Sequence, residues 1–180
     1  MLENLERSPS LSDLVALTAG HELVILIEDW SVITVCSCVR EQYAVSWRMG
    51  GSLSANEIVN ALTVDVEDYF QVSAFEQAVS RSSWPSRQLR VEQNTRRILD
   101  VFDECGARGT FFVLGWVAER LPGLVKAIVS RGHEIACHGY GHERLTRLSP
   151  EEFRTDLQRA RSIIEAQAGC AVIGYRAPSF

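Results

Sequence analysis

The sequence predicts an α/β fold in which parallel strands are covered by helices. Three observations lead there. From Asn60 onward, short β-rich apolar runs alternate with stretches of helical period. The helical stretches carry their own start and stop residues. Polar clusters rich in Asp, Glu, His and Arg sit where the apolar runs end, which is where parallel α/β folds place their sites.

The first strand is expected at Ala61–Val66, a short apolar run that ends in acids. A helix follows at about Val91–Cys105, where Val91, Ile98, Phe102 and Cys105 recur at helical spacing, and Gly106 stands at the position just past its end. The second strand is Gly109–Leu114. A helical stretch runs from about Trp116 to Ser130, broken near Pro122-Gly123, and stops before Gly132. The third strand is His133–His138. The next helix has the clearest start: Ser149 as N-cap, Pro150 at the first helical position and Glu152 closing a capping box. Phe153, Leu157, Ala160 and Ile164 follow one face, and Gly169 ends it. Ala171–Tyr175 reads as a last strand.

That gives about four strands, whereas a closed β/α barrel needs roughly eight strands and about 250 residues. A chain cut short is therefore expected, with its last strand at an open edge. Residues 1–57 have a different character: short apolar runs without a sustained period, ending in a loop-like Met49–Ser54. They read as an N-terminal extension, or as an upstream stretch with Met49 as a later start, and residues 58–180 as the domain proper.

The 180 residues carry a net charge of −5, which argues against nucleic acid or an anionic membrane as partner. The basic run Arg81 to Arg97 is diluted by acids and reads as a solvated face. The five cysteines are irregularly spaced and imply no disulfide framework, and Cys36 and Cys38 lack a second pair for a zinc site. The apolar stretch Leu14–Ile27 is too short for a membrane span and is interrupted by His21 and Glu22. The N-terminus lacks a basic leader, so a cytoplasmic protein is expected. Trp84 and Trp116 could stack on sugar rings, but core or rim packing is the ordinary role of such residues.

Three clusters carry chemistry. In Asp65-Val66-Glu67-Asp68, Asp65 and Glu67 lie two apart, so an extended strand points both to one side. Two carboxylates on one side repel, and a cation would resolve that, with one acid as ligand and one as base. The alternative is a solvated acidic turn. In His138-Gly139-Tyr140-Gly141-His142, two imidazoles lie four apart. That spacing shares a helix face, but two glycines favour a loop, which can still aim both rings at one ion. In Tyr175-Arg176-Ala177-Pro178-Ser179-Phe180, Arg176 leaves a strand with a charge that needs a carboxylate partner. Two histidines and a carboxylate leave coordination positions open for water and substrate, as catalytic sites do. The same ligands suit zinc and non-haem Fe(II).

Thr63–Asp68, His138–His142 and Arg176–Pro178 resemble, in this order, the first three motifs of the polysaccharide deacetylases with a NodB homology domain. Gly109–Phe112 and Gly132–Ile135 are also similar to theirs, and the resemblance covers about residues 60–180. Asp65–Phe70 is most similar to the branch linked to exopolysaccharide export and to peptidoglycan-deacetylase-like and allantoinase-like enzymes. The resemblance implies a distorted (β/α) barrel of the NodB type, here truncated to about its first half, with one divalent metal, usually zinc. It casts Asp65 as general base, oriented by Arg176, and His138 and His142 as metal ligands. The acidic ligand is Glu67 by same-side geometry, with Asp68 as the alternative. The backbone N–H near Ser179 would hold the oxyanion. The later motifs, including a histidine general acid, would lie beyond Phe180, so little activity is expected of this chain alone. The implied function is removal of N-acetyl groups from amino sugars in a polysaccharide or oligosaccharide. Hydrolysis of a cyclic amide, or a catalytically inactive glycan-binding fragment, are the alternatives.

Overall fold

The computed structural model describes residues 61–179 and the backbone of three strands before them. Those strands are β1 (Leu14–Ala19), β2 (Glu22–Ile27) and β3 (Ser31–Cys36), followed by β4 (Ala61–Val66), β5 (Gly109–Val113) and β6 (Glu134–Cys137). They form one sheet in the order β1-β2-β3-β4-β5-β6. Pairing is antiparallel from β1 to β4 and parallel from β4 to β6. The expected 49–54 linker, the boundary near residue 57, the side chains of Cys36 and Cys38, and Phe180 lie outside the described residues. The sequence reading foresaw no strands in residues 1–57, and β1–β3 were missed because their apolar runs do not alternate.

Among the described residues, α1 (Val91–Glu104) crosses between β4 and β5, α2 (Gly115–Arg120) and α3 (Pro122–Ser130) cross between β5 and β6, and α4 (Pro150–Ala168) follows β6. The break expected near Pro122 separates α2 from α3, with Pro122 opening α3. α4 starts as its residues dictate. The Glu152 N–H donates to Ser149 Oγ (3.3 Å), and the Ser149 N–H donates to Glu152 Oε2 (2.8 Å).

Strand alternation sorts the sheet into two faces. The registers align Val64 with Phe111 and Ile135, and Val66 with Val113 and Cys137. These residues are buried in one core with Ile98, Leu99 and Phe102 of α1, Leu124 and Ile128 of α3, and Ile164 of α4. The opposite face aligns Asp65 with Phe112 and Ala136. Trp84 and Trp116 belong to the core: their rings meet edge-to-face at 5.6 Å beside Phe70.

One expected element is corrected. Residues 171–175 do not form a strand; a single parallel bridge joins Tyr175 to Cys137. Two backbone hydrogen bonds make it, Cys137 N–H to Gly174 O at 2.9 Å and Arg176 N–H to Cys137 O at 3.0 Å. Ahead of it Val172 is buried in the core, while Ile173 is 80% exposed. Apolar, β-branched composition suggested a ladder that only its last residues make.

Candidate metal centre

The site forms where β4 and β6 end. Asp65 is the penultimate residue of β4, Glu67 follows its last residue, and His138 follows the last residue of β6. The loop 139–142 then returns the chain so that His142 lies beside His138, ring centroids 5.3 Å apart. One ligand atom each from Glu67, His138 and His142 lies within 4.8 Å of the other two. Glu67 Oε2 is 3.0 Å from His142 Nε2 and 3.8 Å from His138 Nε2. Both histidines are buried.

Each imidazole is placed differently. His138 Nδ1 faces the Arg176 carbonyl at 2.9 Å. A carbonyl only accepts, so Nδ1 carries the proton and Nε2 presents its lone pair toward Glu67. Burial pushes the His138 pKa below the ordinary histidine value, against the raising pull of Asp65 and Glu67. A neutral imidazole results, which is the form that binds a cation. His142 has a left-handed backbone, φ 54°, and its buried Nδ1 has no hydrogen-bond partner.

The donor set fits a small divalent cation. Glu67 Oε2 is buried without a hydrogen bond, and a buried acceptor left so is costly. An ion between Glu67 and the imidazoles would satisfy it, using one oxygen and two nitrogen ligands.

Asp65 stands beside this group. Its Oδ1 accepts from Arg176 Nη1 at 2.6 Å, and the guanidinium lies 3.9 Å from the centre of the Phe112 ring. Arg176 thus links both halves, its side chain on Asp65 and its carbonyl on His138. Asp68 is placed elsewhere. Its Oδ2 accepts from the N–H groups of Arg90 (2.9 Å) and Val91 (3.1 Å), capping the start of α1. Burial raises its pKa, and these backbone bonds pull it back. The structure therefore brings Glu67 together with the two histidines and turns Asp68 away. Ser179 lies in a left-handed turn, φ 54°, with its hydroxyl against that of Ser73. Ser73 and His142 line one cavity of about 270 Å³, with Phe70, Gln71, Arg81 and Trp84 on its wall.

Sequence reasoning missed two residues that hold the histidine loop. Asp156 of α4 accepts the Tyr140 N–H at 2.9 Å. Gly139, at φ 78°, has no side chain to meet that carboxylate; an added Cβ would sit 3.0 Å from Asp156 Oδ2. Arg81, read as part of a solvated basic face, reaches the carbonyls of Gly141 and His142. Neither residue has a local signal, because both partners are distant in sequence.

Among the described residues no helix is long and apolar enough to cross a membrane. A family profile described as polysaccharide deacetylase matches residues 75–179. The peptidoglycan-N-acetylglucosamine deacetylase of Bacillus cereus is 36% identical over 84 residues, covering 47% of this chain and 30% of that protein. The peptidoglycan deacetylase-like protein of Gibberella zeae is 37% identical over 86 residues, again 47% of this chain and 25% of its own length. The chain thus spans well under two thirds of these relatives. A solved structure from Mycobacterium smegmatis, assigned as a polysaccharide deacetylase, superposes with a TM-score of 0.54 at 32% identity, covering 66% of this chain and 42% of that one. The matched span holds His138, His142 and Arg176, while Asp65 and Glu67 precede it and join the group in space. With the profile extending over more than half of the 180 residues, the chain belongs to the polysaccharide deacetylase family.

Proposed function

We propose that the protein is a metal-dependent hydrolase that removes N-acetyl groups from amino sugars of a polysaccharide or oligosaccharide. The observation that carries this reading is the convergence of Glu67, His138 and His142, with Asp65 beside them on the Arg176 guanidinium. The names of the Bacillus and Gibberella relatives support an N-acetylated glycan as substrate class.

In this reading Glu67, His138 and His142 hold one divalent cation, zinc by its preference for this ligand set. When bound, such an ion supplies Lewis-acid polarisation of an acyl oxygen and acidifies a water molecule. Asp65 is the general base. Arg176 occupies its Oδ1, leaving Oδ2 to take a proton from the water that adds to the acetamide carbon. The Ser179 N–H donates to the acyl oxygen as that oxygen gains charge. Breaking the C–N bond then releases acetate and an amine, which takes up a proton. His138 stays fixed throughout, because Nδ1–H is tied to the Arg176 carbonyl.

The test is acetate release from chito-oligosaccharides or peptidoglycan by the full-length protein, with and without zinc. Zinc-dependent release is expected, and Asp65→Asn should lower it by roughly 10²–10⁴-fold while bound zinc stays near one per chain. Unchanged turnover in Asp65→Asn would remove the base from the mechanism. Ring opening of a cyclic amide without acetate release would favour the allantoinase-like alternative. Glycan binding with zinc bound and no turnover would favour the inactive one.

A further inference from the structure

The two histidines of the site are secured by different means. His138 has a partner behind its ring, the Arg176 carbonyl, and its N–H donates to Val113 O at 3.0 Å. The first half of the loop after it is pinned by helices. Gly115 and Trp116 of α2 donate their N–H groups to the carbonyls of Gly139 and Tyr140, each at 2.9 Å. Asp156 of α4 takes the Tyr140 N–H. His142 has no such support at its ring, since Nδ1 is buried without a partner. Its backbone is left-handed, a conformation that a non-glycine residue keeps only where its surroundings impose it.

Arg81 is the residue that grips this second half of the loop. Nη1 donates to Gly141 O, Nη2 donates to His142 O at 3.2 Å, and Nη2 also lies 3.0 Å from Glu143 Oε1. The guanidinium is itself held, 5.0 Å from the centre of the buried Trp84 ring. Gly141 makes room for it: a Cβ there would lie 3.0 Å from Arg81 Nη1. The second glycine of His138-Gly139-Tyr140-Gly141-His142 is thereby accounted for by a close approach.

We propose that Arg81 is a positioning residue for the metal site, fixing the imidazole of His142 through the carbonyls of Gly141 and His142. This rests on the reading that Glu67, His138 and His142 hold a cation. A planar fork can serve two consecutive carbonyls and a carboxylate together, whereas an ammonium is a single point of donation. Support of this kind behind a metal ligand is typically worth about 10–100-fold in metal affinity.

The test is zinc titration by calorimetry of the wild-type protein, Arg81→Met, Arg81→Lys, Gly141→Ala and the Arg81→Met/Gly141→Ala double variant. Circular dichroism melts of each zinc-free protein run alongside. Arg81→Met is expected to weaken zinc binding about 10-fold or more, with Arg81→Lys between it and wild type. Gly141→Ala should act through the same contact, so the double variant should bind little worse than either single one. Wild-type zinc affinity in Arg81→Met, with or without a raised KM, would overturn the proposal, as would additive losses in the double variant. If Arg81→Met does not fold, Gly141→Ala decides on the same readout. Failure of the wild-type protein to bind zinc is a separate result, which overturns the metal reading and this inference with it.

Discussion

At the scale of single residues, the site depends on which way two neighbouring acids turn. Glu67 points to the side that Asp65 also faces, toward the imidazoles, whereas Asp68 reaches back to the amides of Arg90 and Val91. The period of an extended strand made the Asp65–Glu67 pairing legible. The second fate was not legible, because the amides that Asp68 caps lie 22 and 23 residues further on. The same holds for Arg81, whose partners are 60 and 61 residues away. Replacing Glu67 by Gln keeps its shape and removes its charge. Zinc affinity measured by competition with a chromophoric chelator should then fall by at least 10-fold, since losing even an outer-shell partner of a metal ligand costs about 10–100-fold. Unchanged affinity in Glu67→Gln would exclude it as the acidic ligand.

At the scale of elements, legibility followed how local the cause is. The start of α4 was readable because Ser149 and Glu152 bond to each other. The start of α1 was readable at Val91 from its apolar period, but its cap was not, because the cap comes from Asp68, 22 residues upstream, and Arg90 at the N-cap makes no side-chain bond. Asp68→Ala should therefore destabilise the protein by about 1–2 kcal/mol, the ordinary worth of an N-cap, in a urea unfolding curve, while zinc stoichiometry stays at that of wild type. Loss of zinc with unchanged stability would reverse the assignment and make Asp68 the ligand. The segment 171–175 shows the limit of composition: its apolar residues suggested a strand, yet Gly174 packs close to Ala136 and Ile173 faces outward, so only one bridge forms.

At the scale of the whole molecule, the parallel half of the sheet, β4 to β6 with its helices, was legible because period and caps agree along it. The antiparallel half, β1 to β3, was not, since its pairing depends on neighbours and not on alternation. Burial lowers the pKa of His133 and of His138, so the folded protein holds both neutral while the unfolded chain protonates them near 6.5. The sign follows directly: the unfolded state binds more protons in acid, so stability falls as pH drops through 6.5 and levels off below the folded values. Urea midpoints of the zinc-free protein should be lower at pH 5.5 than at pH 7.5, with the unfolding free energy falling by up to roughly 1.4 kcal/mol per pH unit for each histidine. A midpoint that rises on acidification would show that His133 or His138 is charged in the folded state.

X-ray absorption at the zinc edge of the loaded protein tests the shared cation most directly. The account predicts one zinc per chain with nitrogen and oxygen scatterers at about 2.0–2.2 Å, including the multiple-scattering pattern of two imidazoles. A sulfur shell at about 2.3 Å, or no bound zinc, would contradict it.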